Sequence, residues 1–353
     1  MLGIHLFYTF SENDSSPSEL RNDLITQLEA IESEHSLTGA AKKVGMSYRY
    51  FWGRIEAWEQ TLGQRLVSRE QGKPATLTPL GRKLLWAERS VQAKYAMQIT
   101  QLNSELTAAF SAAMDPKAPI LTIAGCYDHF IASLQEPAFQ AGLICDFQFN
   151  SGCEGLRQLA ERSCTIAGFN FAEPATVGSE AYQTFSPYID PERMEGCFVS
   201  QRSQGLVVAK HNPHQLHTLT DVFAKGLRYA GRSPTTGTYT LQESLLANSG
   251  IDTARVKALS VEYPSHLAVA TAVASGEADA GLCIAHAALQ RNVSFLPLQW
   301  ENYYLAWFKE DRALVEPFLT VLAQTLDNTP AEEGRTLADS LRILSWRDEL
   351  PWW

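Results

Sequence analysis

The chain has no apolar run long enough to span a bilayer. Its start, Met1 to Phe10, lacks the basic n-region and cleavage site of a secretory signal. Both absences point to a cytoplasmic protein without a membrane partner. The six cysteines (126, 145, 153, 164, 197 and 283) form no Cys-x-x-Cys pair and show no zinc spacing. They suit a reducing compartment better than a disulfide framework, and no metal site is expected from them by spacing. Gly-x-Ser-x-Gly, zincin, P-loop and Gly-x-Gly-x-x-Gly motifs are all missing, so neither an enzyme nor a resident cofactor is expected. Asp128, His129, His266 and Cys153 could be assembled into a catalytic set, but no motif supports it. Positive charge is also scarce: 29 Lys and Arg face 39 Asp and Glu, a net charge of −10. Taken whole, that balance disfavours a nucleic-acid partner.

Its distribution changes the reading. Residues 20–95 carry 12 bases against 8 acids, whereas 96–353 carry 17 against 28. A basic module on an acidic body is what a phosphate-binding head on a soluble sensor would show. At 353 residues, 45% of them hydrophobic, the chain can fill two or three cores. The expected layout is an extension (1–19), a helical head (20–78), one long helix (79–114), a linker (115–119) and an α/β body (120–353). The linker is marked by Pro116 and Pro119, which stop a helix. Beyond it, short β-rich runs alternate with helical stretches: 120–125, 146–150, 165–168, 205–209, 227–231, 256–261, 278–283 and 293–297. That alternation describes an α/β domain with a largely parallel sheet.

In the head, Leu37, Ala40, Ala41 and Val44 make one helical stripe whose small residues admit a second helix at close range. Gly45 can take the positive φ that ends this helix, and Ser47 is placed to cap the next, about Tyr48–Leu62. Phe51 or Trp52, Ile55, Trp58 or Glu59, and Leu62 would face the core. Ser47, Tyr48, Arg49, Tyr50, Gly53 and Arg54 would face outward. A hydroxyl, two rings and two guanidiniums at a helix start suit phosphates and major-groove base edges. For the arginines the alternative is a solvated surface, and for Tyr50 it is packing. Two short β runs around Gln71-Gly72-Lys73-Pro74 describe a wing with Lys73 at its tip. Thr78-Pro79 opens a helix running to about Ala113, striped by Leu80, Leu84, Ala87, Val91, Tyr95, Ile99, Leu102, Leu106 and Phe110. So long an apolar face exceeds what the head can cover, and pairing with a second copy is expected. A homodimer or a tetramer would serve.

The segment SLTGAAKKVGMSYRYFWGRIEAWEQTLGQRLVSREQGKPATLTPLGRKLL resembles the winged helix-turn-helix of ModE-type molybdenum-responsive regulators, in particular its Gly-Met-Ser-Tyr-Arg run and Trp52. The long helix after LTPLGRKLL resembles the dimer linker of LysR-type regulators. Downstream, LTIAGCYD, RSQGLVVAKHNP, LRYAGRSPTTGTYTLQESLLANSGID and HLAVATAVASGEADAGLCI are similar to a type II periplasmic-binding-protein-like domain. The resemblance implies an α+β multidomain regulator that binds a pseudo-palindromic double-stranded operator. Its sensor would have two lobes, 120–203 with 303–353 and 204–302, crossing near Ser203–Gly205 and Glu301–Tyr304. A transport protein with this fold is disfavoured by the head, while a sensor reduced to a dimerisation scaffold stays open.

Strand-to-helix junctions supply the expected ligand residues: Cys126, Tyr127 and Asp128; Ser151, Gly152 and Cys153; Phe169 and Asn170; and Arg202 with Gln204 at the crossover. The richest is 232–238, where Ser233, Thr235, Thr236 and Thr238 stand at a helix start with free N–H groups. Tyr263, Ser265 and His266 open another helix in the same way. Plain helix capping is the alternative at each of these, and Asp279 could simply pair within its lobe. The family implies molybdate or tungstate as effector. It also implies small or hydroxyl residues where Cys126, Cys153 and Cys283 stand, and thiols are poor donors to an oxyanion. A small carboxylate such as formate, a soft metal, a redox signal through the three cysteines, or an apolar pocket therefore remain alternatives.

Overall fold

Caps and small residues close the head. The computed structural model describes residues 22–69, 74–172, 176–247, 249–330, 332, 334–344 and 346. Helix α1 (Asp23–Glu34) is capped by Asn22 and packs Leu28 and Ile31 in one core with Ala40 and Ala41 of α2 (Leu37–Lys43). Gly45 turns the chain at φ 69°, and Ser47 accepts from the Tyr50 N–H to open α3 (Tyr48–Leu62). Phe51 and Ile55 are fully buried. The Glu59 carboxylate accepts the N–H groups of Leu66 at 2.7 Å and Val67 at 3.1 Å. It thereby fastens α3 to the antiparallel hairpin of β1 (Val67–Ser68) and β2 (Thr76–Leu77). Thr78 caps α4 (Pro79–Met114), with proline in its first turn as the sequence suggests.

Helix α4 has two working faces. Leu80 and Leu84 join the head core. Further on, Ala93, Thr100, Ser104 and Ala108 are buried against the body, a contact the sequence reading did not anticipate. The opposite face carries Val91, Tyr95, Leu102 and Phe110, exposed by 39, 53, 55 and 40%. At 100° per residue, Leu102 lies about 180° from Ala93 around the helix.

The body runs through β3 (Ile120–Gly125), α5 (His129–Ser133), α6 (Gln135–Gln140), β4 (Ile144–Phe149), α7 (Gly152–Ala160), β5 (Ile166–Ala172) and α8 (Glu180–Phe185). It continues with β6 (Met194–Val208), α9 (Leu219–Ala224), β7 (Tyr229–Gly231), α10 (Gly237–Leu246), α11 (Thr253–Leu259) and β8 (Ser260–Glu262). Last come α12 (His266–Ser275), β9 (Ala280–Ile284), α13 (Ala285–Gln290), β10 (Ser294–Phe308), α14 (Arg312–Asn328), β11 (Arg335–Leu337) and β12 (Ile343–Leu344). The strand order is β4-β3-β5-β10-β6-β9-β7-β8, with β11 and β12 also on β6.

Two expectations are corrected. The sheet is mixed: β3 pairs in parallel with β4 and β5, and β7 with β8 and β9, but the centre around β6 and β10 is antiparallel. The cause is that both crossings are single 15-residue strands serving two lobes at once. The expected β run at 256–261 is mostly helix α11, because Asp252 caps it and Ala, Arg, Lys and Leu outweigh one valine.

Strand β6 changes partners at the lobe junction, pairing with β11 at Ser200–Arg202 and with β9 at Gln204–Val208. Opposite it, β10 pairs with β5 only from Glu301 onward. Residues 201–204 and 299–302 therefore form the double strand that joins the two lobes. Separate apolar clusters fill lobe one, around Phe147, Trp307 and Phe318 and around Phe169 and Trp346, and lobe two, around Val269 and Phe223. No helix among the described residues is long and apolar enough to cross a membrane.

Candidate nucleic-acid face and interlobe anion site

The start of α3 stands clear of the head. Ser47, Tyr48, Arg49, Tyr50 and Gly53 are exposed, the two rings by 47 and 56%. Ser47, Arg49, Tyr50, Gly53, Arg54 and Ala57 line a shallow groove of about 450 Å³. Gly53 leaves that groove open, since nothing lies within 4 Å of where its Cβ would be. Two details were not legible beforehand. Arg54 pairs with Asp23 at 2.8 Å, so it is partly committed within the head. Arg69 stacks its guanidinium 3.4 Å over the Trp52 ring, bringing a third cation to the base of the wing. Lys73, the expected wing tip, lies outside the described residues.

In the body two arginines near the lobe junction differ sharply in their surroundings. Arg202, expected to bind ligand, is only 4% exposed and fully engaged. Its Nη1 donates to Asp128 Oδ2 at 2.7 Å and its Nε to Glu301. Glu301 in turn accepts from Gln204 at 2.6 Å and from Asn170 Nδ2 at 2.9 Å. Burial alone would raise the Asp128 pKa, but the Arg202 charge and hydrogen bond outweigh it and hold the carboxyl below its usual value. Asp128 also caps α5. This buried network ties β6, β10, β5 and the start of α5 together at the junction. Arg202 and Asn170 thus already have protein partners at the junction.

Arg232, at the carboxyl end of β7, has no such partners. Its Nε and Nη1 are buried without a hydrogen bond. Burial, with the charge of Arg202 adding to it, brings its pKa down to about 10, so it remains a cation at neutral pH. His266, first residue of α12, has its Nδ1 buried and unbonded as well. Burial, then the charges of Arg232 and Arg202, hold its pKa well below 6.5, which keeps the ring neutral. Two orphaned guanidinium donors and an imidazole nitrogen beside a helix start describe a place for an anion. Arg232 opens the 232–238 loop, whose hydroxyls rather than its cation drew attention in the sequence. The signal available was its position directly after a lobe-two strand.

The remaining expected residues divide. Ser233 Oγ and Thr235 Oγ1 lie 3.2 Å apart and reach solvent beside Arg232. Thr236 caps α10 and donates to the Ser233 carbonyl, while Thr238 is buried. Tyr263 packs in the lobe-two core and its hydroxyl reaches Glu277 at 3.4 Å. Tyr127 packs edge-on to Phe149 at 4.9 Å. Ser151 caps α7, and Asp279 pairs with Arg228 at 2.7 Å.

The three cysteines have different surroundings. Cys126 receives the Gly152 and Asn170 N–H groups, and burial pushes its thiol up to about 11. Cys153 packs on the second lobe-one cluster beside Tyr188. Cys283 is buried in the lobe-two core, and burial raises its pKa too. Among the described residues no three His, Cys, Asp or Glu side chains stand close enough to hold a metal ion. For Cys126 and Cys283 burial makes the thiol harder to ionise.

His266 makes stability depend on pH. Its folded pKa lies below the unfolded value near 6.5, so the unfolded chain takes up the proton first. Stability is complete above about pH 6.5 and falls as the pH drops from there towards the folded value. Melting curves at successive pH values should show this loss, and His266→Gln should flatten it. An unchanged slope in the variant would place the titration elsewhere.

Residues 136–323 match the model of the PBP superfamily domain, and residues 23–82 that of the bacterial regulatory helix-turn-helix protein, lysR family. By sequence, 121 residues are 31% identical to the uncharacterized protein YvgK of Bacillus subtilis (strain 168), covering 34% of this chain and 39% of that one. Over 91 residues the chain is 33% identical to the molybdenum transport protein ModE of Azotobacter vinelandii, covering 25% of this chain and 34% of that one. The chain thus spans well under half the length of these two relatives. Among solved structures, the full-length LTTR LysG from Corynebacterium glutamicum with bound effector Arg is 19% identical, with a TM-score of 0.42 over 87% of this chain and 99% of that one.

Proposed function

The chain belongs to the PBP superfamily and carries a helix-turn-helix of the lysR family, and on that premise we propose that it is a cytoplasmic transcription regulator whose DNA affinity is set by a small anion held between its lobes. It is a regulator and not an enzyme, and the small molecule is an effector rather than a cofactor. The observation that carries the anion is Arg232, a half-buried side chain whose Nε and Nη1 are buried and unpaired. Molybdate or tungstate is the effector favoured by the 33% identity to ModE. A small carboxylate such as formate is the second reading, since its oxygens accept hydrogen bonds from the same donors. Titration calorimetry with sodium molybdate, tungstate and formate ranks them. An oxyanion effector should bind at micromolar Kd or tighter, roughly −8 kcal/mol, and heat from none of the three would defeat the reading.

DNA binding is assigned to Ser47, Tyr48, Arg49, Tyr50 and Arg54, with two copies of α3 presented by paired α4 helices to a pseudo-palindromic operator. The exposed stripe of α4, opposite the face already packed on the body, is the support for a homodimer. Arg49→Ala should cost about 1–3 kcal/mol per half-site and relax preference at one base pair. Selection from a random DNA pool reads this directly. An identical consensus from the variant would remove Arg49 from base readout.

A further inference from the structure

Helix α4 is anchored to both lobes. Ser104 is fully buried against the edge strand β4, where its Oγ donates to the Cys145 carbonyl at 2.9 Å and accepts the Phe147 N–H at 2.7 Å. It takes the place a neighbouring strand would have at that edge. Eleven residues earlier, Ala93 is buried in the lobe-two core with Val269, Ala272 and Cys283. Its carbonyl accepts the Ser265 hydroxyl at 2.7 Å. The same Ser265 oxygen caps α12 by accepting the Ala268 N–H at 3.0 Å.

At 1.5 Å per residue the two anchors lie about 16 Å apart along one stiff rod. Rotation of the lobes about residues 201–204 and 299–302 changes the distance between the surfaces they grip. A rod cannot follow both. Ser104 makes two hydrogen bonds and is sealed from water, whereas Ser265 makes a single one to α4 and is half-buried. The lobe-two anchor is the one that yields. The residue next to it is His266, whose Nδ1 faces no protein partner at the anion site.

We propose that Ser265 is the positioning residue that couples the anion site to the head: its hydroxyl fastens lobe two to α4 in the ligand-free chain, and closure on an anion releases it. The clamp stands on hydrogen bonds alone, and only its release rests on the anion reading. One turn of α4 before Ala93, Arg89 holds Glu29 at 3.1 Å and Glu32 at 2.9 Å on α1 of the head. On lobe two, Arg291 donates to Thr271 of α12 at 2.8 Å, and the charges of Arg89 and Glu29 act on its guanidinium. A shift of lobe two therefore reaches the head through a single turn of α4.

Hydrogen exchange on the full chain tests the clamp without ligand. Ser265→Asp keeps a cap acceptor for α12 but cannot donate to the Ala93 carbonyl, while Ser265→Thr keeps both bonds. Amides at 201–204 and 299–302 should exchange about fivefold faster or more in Ser265→Asp, with Ser265→Thr like the wild type. A residue that merely caps its helix would leave those strands unchanged, and that result overturns the proposal. Saturating sodium molybdate should then speed exchange at residues 93–97 of the wild type and add nothing in Ser265→Asp. Molybdate that binds by calorimetry yet leaves 93–97 unaltered overturns the coupling. A chain that takes up no molybdate counts against the anion reading alone, because the ligand-free comparison still decides the clamp.

Discussion

Arg232→Gln should abolish anion binding and, in the same protein, raise the melting temperature of the ligand-free body. Both effects come from one fact: Nε and Nη1 of a guanidinium are buried without a partner. An anion that supplies the missing acceptors forms a buried charge pair. Removing one member of such a pair typically costs about 3–5 kcal/mol, more than a hundredfold in Kd. Without ligand the same cation is a liability, because desolvation is not repaid, and that is why burial brings its pKa down to about 10. Glutamine removes the charge and keeps most of the side-chain volume. A gain of about 1 kcal/mol would raise the melting point by roughly 2–4 °C for a domain this large. Functional sites that store instability show this exchange of stability for binding. A lowered melting point would mean that Arg232 has a structural partner after all.

The second large effect is expected at the α4 stripe. Tyr95 and Leu102 are 53 and 55% exposed on the helix face opposite the one that packs on the body. Tyr95→Glu with Leu102→Glu would place like charges across a symmetric seam, strongly opposing association. Sedimentation should show monomers at concentrations where the wild type is dimeric. Operator affinity should fall by about 10²-fold or more, since two linked heads gain that much from acting together. Leu106, a natural choice from sequence, is half-buried, so its replacement would confuse association with folding. A double variant that stays dimeric would move the seam to the lobes.

The head was legible because its determinants are local. Ser47 and Thr78 announce helices that begin at the next residue, and Gly45 marks the turn. Each of these devices acts within four residues, so a sequence pattern can carry it. The site was legible only in outline. Reading strand ends located the junctions, including 232–238, but could not separate Arg202 from Arg232. Arg202 is neutralised by Asp128, 74 residues away, and by Glu301, 99 residues away. Nothing near Arg202 in the sequence reveals either partner. The surroundings of the cysteines were hidden for the same reason. Cys126 and Cys153 follow successive strands and Cys283 lies in β9, yet Cys153 packs beside Tyr188 and Cys283 in the lobe-two core. Which face of a junction a side chain takes is settled by the packing of the whole lobe. The double role of α4 was hidden too, because Ala93, Thr100, Ser104 and Ala108 are small or polar and make no apolar stripe. A second buried face built from such residues leaves little periodic signal.

The central claim is that an anion at Arg232 governs DNA binding at α3, and one measurement reaches both ends of it. Operator DNA selected with the full chain should be titrated with wild type and Arg232→Gln, each with and without saturating sodium molybdate. The wild-type affinity should change by about tenfold, a coupling near 1.4 kcal/mol, while the variant gives one curve under both conditions. Four superimposable curves, or a molybdate effect of equal size in Arg232→Gln, would contradict the account.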